Sequence, residues 1–239
     1  MKKPLIGIIG RPDSNTRGTP IINVFDQYRK AIIEAGGNPI LILPPQDVAY
    51  EREIPREISP LTELEKEMLF DQIQLCDGFL IPGGEKMYEY DLVIADYLIT
   101  HNYPVLGICM GMQILAGHEK RKTSNHVIHT SKNEGDILHY LEEGNHTHLV
   151  FLKQGTRLQQ LFQTEQLPVN SFHNYHIPDA EGFLCAATSE DGYIEAIEYP
   201  DKDYVIGVQW HPEKMLVYQP QQMNLFKDFI EVCRRKKHE

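Results

Sequence analysis

The chain has 239 residues, of which 41% are hydrophobic and 24% are charged, and its formal net charge at pH 7 is −11. This length and composition are typical of an ordinary globular protein with a sizeable hydrophobic core. An acidic chain is repelled by phosphate backbones and anionic lipids, so the charge argues against a general nucleic-acid or membrane-surface protein.

The first half of the chain alternates short apolar runs with segments of helical periodicity. An N-cap serine at 59 followed by proline predicts the start of one helix, and the proline-dotted segment from 46 to about 60 predicts a surface insertion. This alternation predicts an α/β fold with a mostly parallel central sheet and helices on both faces. The predicted strands cover residues 4–10, 38–45, 77–84 and 103–109, and the predicted helices cover 22–37, 59–73, 88–102 and 110–117.

The second half of the chain has a different character. Residues 118–146 are polar and rich in histidine, without periodicity. Short apolar runs separated by turn residues then predict antiparallel strands, followed by an amphipathic helix over 223–237. We expect residues 1–239 to form a single domain, with antiparallel strands added to the sheet in the C-terminal half. These strands cover residues 148–152, 167–172, 182–188, 193–199 and 204–210.

The cysteines and the N-terminal sequence indicate in which cellular compartment the protein is expected. Four widely spaced cysteines without a C-x-x-C pair fit free thiols in a reducing environment. The N-terminal MKKPLIGIIGRPD has glycines in its apolar run and no small-residue cleavage site, which predicts a core strand rather than a signal peptide. No apolar stretch is long enough to span a bilayer. We therefore expect a cytoplasmic protein.

The stretch GICMG places Cys109 where a predicted buried strand meets a predicted helix. Gly107 and Gly111 supply the small neighbours that a sharp strand-to-helix turn needs, as in the G-x-S-x-G nucleophile elbow. A free cysteine is more often a small buried hydrophobe than a nucleophile. These five residues alone leave both interpretations open.

The stretch GVQWHPE offers a base for Cys109. Proline at 212 biases His211 toward extended backbone, in which residues two apart point to the same side. The carboxylate of Glu213 can then hold one ring nitrogen of His211 and leave the other for the thiol. On its own, a strand-terminal histidine beside a solvated glutamate is the simpler interpretation. The combination with an elbow cysteine favours a nucleophile and its base.

The stretch Pro-Gly-Gly at 82–84 ends another predicted strand. Attack on an amide carbonyl forms an oxyanion, which needs preorganised N–H donors, and glycine lets the backbone approach a ligand closely. The N–H groups of Gly84 and of Met110, just after the cysteine, are the natural pair of donors. Taken alone, the motif also fits a plain turn.

Together, GICMGMQ, HPE and the upstream PGG resemble the class I glutamine amidotransferases over residues from about 4 to 230. The GVQWHPE ending and NSFHNYH at 170–176 resemble the γ-glutamyl hydrolase (peptidase C26) branch, which includes γ-glutamyl-γ-aminobutyrate hydrolase. The resemblance implies a catalytic triad of Cys109, His211 and Glu213, and a cysteine-dependent hydrolase of small γ-glutamyl amines or peptides. It implies no cofactor and no metal, and it leaves a homodimer open.

The resemblance also implies which residues bind the γ-glutamyl group. Gln113 lies one helical turn past the nucleophile, although a solvent-facing polar residue is the simpler interpretation of that position. The SFHNY stretch is expected to add contacts, partly through its backbone. These residues are His173, Asn174 and Tyr175.

Three departures from the family pattern limit how far its substrate can be carried over. Met110 stands where arginine is common, HNY replaces HHQ, and GHEKRKTSNHVIHTSKNEGD lacks the usual Gly-Gly and Gln-Asp. The last region shapes the leaving-group side of such sites. Two other functions stay open: a glutaminase subunit that delivers ammonia to a separate synthetase, and a γ-glutamyl-binding protein without turnover.

Histidines are concentrated in the polar segment that follows the elbow helix. No carboxylate or cysteine pattern sets them at the spacing of a zinc site, so we expect solvated loop side chains rather than metal ligands. These residues are His118, His126, His129, His139, His146 and His148.

Overall fold

The computed structural model describes residues 3–46, 60–123, 130–134, 137–140 and 147–236. Three of the histidines named above, at 126, 129 and 146, lie outside these ranges, as does the predicted N-cap Ser59. Most of the predicted insertion between 46 and 60 also lies outside them. Among the described residues, no helix is both long enough and apolar enough to cross a membrane.

The described elements alternate as predicted in the first half of the chain. The strands are β1 Leu5–Ile9, β2 Arg11–Ser14, β3 Pro20–Asn23, β4 Asn38–Ile42, β5 Gly78–Ile81, β6 Val105–Ile108, β7 Ser131–Lys132, β8 Thr147–Leu152, β9 Gln166–Asn170, β10 Tyr175–His176, β11 Leu184–Ser189, β12 Ile194–Glu198 and β13 Val205–Val208. The helices are α1 Asp26–Glu34, α2 Glu63–Gln74, α3 Glu89–Thr100, α4 Met110–Ala116, α5 His118–Thr123, α6 Arg157–Phe162 and α7 Met223–Lys236.

Nine strands form one sheet in the order β4-β1-β5-β6-β13-β12-β11-β8-β9. The strands from β4 to β13 pair in parallel, and those from β13 to β9 pair antiparallel. This confirms the α/β class with antiparallel strands in the C-terminal half. Side chains along each strand alternate between two cores, so Phe79 and Ile81 pack on one face and Leu80 on the other. Helix α1 and α7 residues join one core, and α2 and α3 residues join the other.

Three local predictions differ from the structure. Residues Pro20–Asn23 pair with Arg11–Ser14 as a hairpin, so α1 begins at Asp26 rather than at 22. Helix α2 begins at Glu63, because Thr62 forms a capping box with Glu65. The short helices α5 and α6 were not predicted.

The parallel arrangement sets the position of the site. The carboxyl ends of β1, β5, β6 and β13 meet at one edge of the sheet, where ligands bind in open α/β folds. The segments leaving these ends are Gly10-Arg11, Pro82–Gly84, Cys109 and Gln209–Glu213.

Candidate active site

Cys109 occupies a sharp turn between β6 and α4. Its backbone has φ 54° and ψ −111°, a conformation that costs a non-glycine residue on the order of 1–3 kcal/mol. The surrounding structure holds it there: its N–H donates to the Val208 carbonyl at 2.8 Å, and its own carbonyl accepts from Met112 at 3.0 Å. The strained turn holds the cysteine at the carboxyl edge of the sheet.

The two flanking glycines are required by close packing. A Cβ on Gly107 would lie 2.7 Å from the carbonyl carbon of Gly111, and a Cβ on Gly111 would lie 2.0 Å from the Ile81 carbonyl oxygen. Both contacts are with backbone, which cannot turn away as the end of a side chain can. The G-x-C-x-G spacing therefore allows the elbow to pack against β5.

We expect Gly111→Ala to lower the free energy of unfolding by about 1–3 kcal/mol or more, because the added methyl group overlaps the Ile81 carbonyl. Urea unfolding measures this change. Gly117→Ala at the end of the same helix is the matched control, since its Cβ would overlap only the end of the Arg121 side chain, which can move. Equal losses in the two variants would contradict the packing argument.

His211 and Glu213 form a buried pair next to the elbow. The Nδ1 atom of His211 lies 2.7 Å from Oε1 of Glu213, and both side chains are buried. A Cβ on Gly83 would lie 2.9 Å from His211 Cε1 and 3.3 Å from Cys109 Cβ, so the 82–84 loop closes over the histidine and the cysteine. The structure thus brings together the three residues of the predicted triad.

The charges around His211 determine its protonation. Burial lowers the pKa of His211, but the Glu213 carboxylate and the Cys109 side chain raise it more, to about 9. Because this pKa lies above neutral pH, the ring carries a positive charge there. An imidazolium beside a cysteine stabilises negative charge on the sulfur.

Three residues that the sequence analysis did not assign to the site support the pair. The Asn170 side chain bonds the His211 backbone twice, accepting from its N–H at 2.8 Å and donating to its carbonyl at 2.9 Å. The Gln209 amide donates to Cys109 Sγ at 3.6 Å. The Tyr28 hydroxyl accepts from the Gly83 N–H at 3.1 Å and lies 3.3 Å from His211 Nδ1.

Of these three, Gln209 had a signal in the sequence. It stands two residues before His211 at the end of the predicted strand 204–210, and in extended backbone residues two apart point to the same side. Asn170 opens the NSFHNYH stretch, but nothing there indicates a contact with the His211 backbone. Tyr28 comes from α1, and its position follows from tertiary packing. Burial, and then the Glu213 charge, raise the pKa of Tyr28 well above its ordinary value, so its hydroxyl stays neutral.

The two residues that carry the predicted oxyanion donors lie close to each other. A Cβ on Gly84 would lie 2.8 Å from the terminal methyl group of Met110. Because Met110 is the first residue of α4, its N–H has no acceptor within the helix. The Gly83 N–H is already bonded to Tyr28, which leaves Gly84 as the better candidate in this loop.

A buried ion pair holds the 82–84 loop. The Arg11 guanidinium forms an ion pair with Asp91 and also donates to the Pro82 carbonyl at 2.8 Å. Asp91 in turn accepts from the Tyr88 N–H at 3.0 Å. The pair connects β2, the loop after β5 and the start of α3, and thereby fixes the backbone that carries Gly84.

The predicted substrate-binding residues differ in their burial and in their distance from the Cys109 site. The Gln113 amide donates to the Tyr175 carbonyl at 3.0 Å and to Gln209 Oε1 at 3.2 Å, which puts it beside the group around Cys109. Asn174 and Tyr175 are exposed. The ring of His173 is buried and faces Glu195, with Nε2 3.4 Å from Oε1, so the expected contact of this side chain with substrate is not what the structure shows.

The expectation of solvated histidines is wrong for those that the structure describes. His118 is buried, and its Nδ1 lies 2.7 Å from Asp96. His139 and His148 are also buried and lie close to Glu195. Polar sequence around these residues concealed their burial, because the carboxylates that pair with them come from other segments.

The chain is similar to known proteins along most of its length. The family model for peptidase C26 matches residues 86–213. The glutamine amidotransferase-like protein RP404 of Rickettsia prowazekii is 27% identical over 282 residues, covering 89% of this chain and 92% of its own. The CTP synthase of Listeria innocua is 25% identical over 210 residues, and the match covers 76% of this chain and 39% of that enzyme.

A solved structure shares the fold. The glutaminase domain of the Trypanosoma brucei CTPS, solved with bound acivicin, superposes with a TM-score of 0.69 at 16% identity. The superposition covers 97% of this chain and 94% of that one.

Proposed function

The chain belongs to the peptidase C26 family of glutamine amidotransferase-like proteins, and from this we propose that it hydrolyses the γ-glutamyl amide bond of a small γ-glutamyl amine or peptide. The observation that carries the proposal is the strained Cys109 elbow beside a buried His211 whose Nδ1 is bound by Glu213. A cysteine, a charged imidazole and a carboxylate in this order are the parts of a nucleophilic acyl-transfer site.

The first half of the reaction forms an acyl-enzyme. The Cys109 thiolate attacks the γ-carbonyl carbon, and the N–H groups of Gly84 and Met110 hold the oxyanion. As the tetrahedral intermediate collapses, the C–N bond breaks and the His211 imidazolium gives its Nε2 proton to the leaving amine. The products of this half are a γ-glutamyl thioester on Cys109, a free amine and a neutral His211.

The second half releases glutamate. Neutral His211 takes a proton from water, and the resulting hydroxide attacks the thioester carbonyl. The C–S bond then breaks, which restores the thiolate and the imidazolium together. Glu213 keeps the Nδ1 side of the ring occupied in both halves, so that Nε2 is the atom that exchanges protons. None of these steps calls for a metal or an organic cofactor.

We place the glutamyl end of the substrate between the elbow and the segment from 173 to 175. The Gln113 amide lies one helical turn past Cys109 and bonds to the Tyr175 carbonyl, so the two border the same side of the nucleophile. Gln113, Asn174 and Tyr175 are the proposed contacts for the polar glutamyl group.

The decisive experiment is a panel of γ-glutamyl amines, including glutamine and γ-glutamyl-aminobutyrate, with released glutamate as the readout. We expect hydrolysis of at least one small γ-glutamyl amine by the purified chain alone, with the Cys109→Ala protein as the blank. Binding of a γ-glutamyl amine without release of glutamate across the panel would instead favour a protein without turnover.

A second function has a specific observation in its favour, the sequence similarity to CTP synthase. The alternative is a glutaminase that delivers ammonia to a separate synthetase, with the same triad. It predicts that glutamine is the preferred member of the panel and that its hydrolysis is slow in the absence of a partner protein. Faster hydrolysis of another γ-glutamyl amine by the isolated chain would exclude it.

A further inference from the structure

A second group of titratable side chains lies apart from Cys109, His211 and Glu213. His139 comes from the segment before β8, His148 from β8, His173 from the loop after β9, and Glu195 from β12. All four are at least nine-tenths buried, at 2%, 6%, 4% and 0% exposure respectively. Buried imidazoles around one buried carboxylate need a physical explanation.

Three ring nitrogens converge on a single oxygen. Oε1 of Glu195 lies 3.5 Å from His139 Nδ1, 3.4 Å from His148 Nε2 and 3.4 Å from His173 Nε2. A tetrahedral zinc site with bonds of about 2.0–2.1 Å has ligand atoms about 3.3–3.4 Å apart. The ligand atoms of His139, His148 and Glu195 also lie within 4.8 Å of one another. The separations of the His139 and His148 nitrogens from Oε1 therefore match two edges of such a tetrahedron.

The hydrogen bonds on the outer side of the rings orient their lone pairs inward. Nε2 of His139 lies 3.0 Å from an Asp191 carboxylate oxygen, and Nδ1 of His173 lies 3.1 Å from the Tyr175 carbonyl. Both partners are acceptors, so these nitrogens donate, and in the neutral rings the opposite nitrogens carry lone pairs. Metal-binding histidines have this arrangement, with the outer N–H held by a carboxylate or a carbonyl.

Lone pairs that face a carboxylate oxygen repel it unless a cation lies between them. Within the described residues, both Glu195 oxygens, both His148 ring nitrogens and Nε2 of His173 make no hydrogen bond. The separations of 3.4–3.5 Å exceed the roughly 2.7–2.9 Å of a charge-assisted hydrogen bond, so these ion pairs leave room for a cation between the rings and the carboxylate. One other polar group, Ser171 Oγ, lies 3.3 Å from His139 Nδ1.

We propose that His139, His148 and Glu195 bind one Zn²⁺ ion. Two imidazole nitrogens and one carboxylate oxygen are ligands that zinc accepts, and a water completes its tetrahedral shell. His173 lies beside Glu195 without being a ligand, and the ion takes no part in the chemistry at Cys109. Neutral imidazoles and one carboxylate leave a single positive charge on the site, which the Asp191 carboxylate offsets.

The ion fixes a segment that borders the nucleophile. His173 N–H donates to the His139 carbonyl at 2.9 Å, and the Tyr175 carbonyl that holds His173 also accepts from Gln113. On the other side, the Glu195 carbonyl accepts from the Gln209 N–H at 2.8 Å, and the Gln209 amide contacts Cys109 Sγ. Zinc thus ties the 173–175 segment to the strand behind the nucleophile.

The test measures metal directly and does not depend on catalysis. The full chain is dialysed against a chelator, incubated with zinc chloride, freed of excess metal and analysed by plasma mass spectrometry. We expect about one zinc per chain, and less than a tenth of that for His148→Gln and for Glu195→Gln. Asp191→Asn should weaken zinc affinity by about 10- to 100-fold, because it removes the acceptor that orients His139.

Two controls separate this site from other buried ligands. His118→Gln removes a buried histidine outside the cluster, and Cys109→Ala removes the reactive thiol; both should retain one zinc. If a cluster variant does not fold, cobalt chloride bound to the parent protein decides the question. Tetrahedral Co²⁺ absorption without a thiolate band supports the site. No bound metal in the parent, a thiolate band, or zinc retained by His148→Gln overturns the proposal.

Discussion

Replacing Cys109 with alanine should lower kcat/KM for γ-glutamyl amide hydrolysis by at least about 10⁴-fold, because the attacking atom itself is removed. The activity that remains would come from binding and from the N–H donors at Gly84 and Met110. The measurement is steady-state release of glutamate from the best substrate of the panel. Alanine fits the space of the thiol, so unfolding curves should show that the variant still folds.

The matched control is Cys185→Ala, which removes a half-buried thiol on β11 far along the chain from the elbow. It should keep the activity of the parent protein. A slow substrate should also add the mass of one γ-glutamyl group to the parent protein and none to Cys109→Ala. Activity retained in Cys109→Ala would disprove the thioester mechanism.

The parallel half of the sheet was predictable because its strands are buried on both faces. Continuous apolar runs such as GFLI and VLGI mark them directly. The hairpin of β2 and β3 was missed because RPDS has no apolar alternation, while Ile21 and Ile22 look like the start of the helix that follows. Helix α6 has a local start signal in its N-cap Thr156, which accepts from the Gln159 N–H, but it has only six residues. It is also stabilised by Glu198, which accepts from the N–H groups of Arg157 and Leu158 across some forty residues.

In the site, too, the residues that lie within short motifs could be predicted, and those that depend on contacts between distant segments could not. Cys109 lies within one short motif, and His211 and Glu213 lie within another, so their types and spacing indicate their chemistry. Asn170 at the end of β9 and Tyr28 on α1 reach His211 only through the tertiary fold. The histidine cluster is an extreme case: its ligands are spread from 139 to 195, and the sheet order β12-β11-β8 brings the strands that carry Glu195 and His148 close together.

Replacing Glu213 with glutamine should lower kcat/KM by about 10³- to 10⁴-fold while leaving the nucleophile in place. The carboxylate accepts from His211 Nδ1, whereas an amide can donate to that atom and stabilise the tautomer with its proton on Nε2. The negative charge that favours the imidazolium is lost as well. Steady-state kinetics should show most of the effect in kcat, because Glu213 is buried behind His211 and does not face the substrate.

The pH dependence of kcat/KM distinguishes loss of the Glu213 charge from a general loss of stability, which would not shift the profile. In the parent protein, burial opposes protonation of His211 but Glu213 and Cys109 raise its pKa to about 9, so activity should fall as the pH rises through about 9. Without the Glu213 charge the pKa of His211 falls, and the alkaline limb of the kcat/KM profile should move to lower pH. Glu213→Asp retains the charge, so it should recover part of the activity, and its alkaline limb should lie closer to that of the parent protein.

The control for burial is Glu198→Gln, which changes another buried glutamate that bonds α6 rather than His211. This variant should unfold at lower urea concentration but keep the alkaline limb of the parent protein. The two variants therefore separate loss of stability from loss of the charge beside the base. An alkaline limb that stays near pH 9 in Glu213→Gln would show that the raised pKa of His211 does not depend on the Glu213 carboxylate. The role of Glu213 as the residue that orients and charges the base would then be wrong.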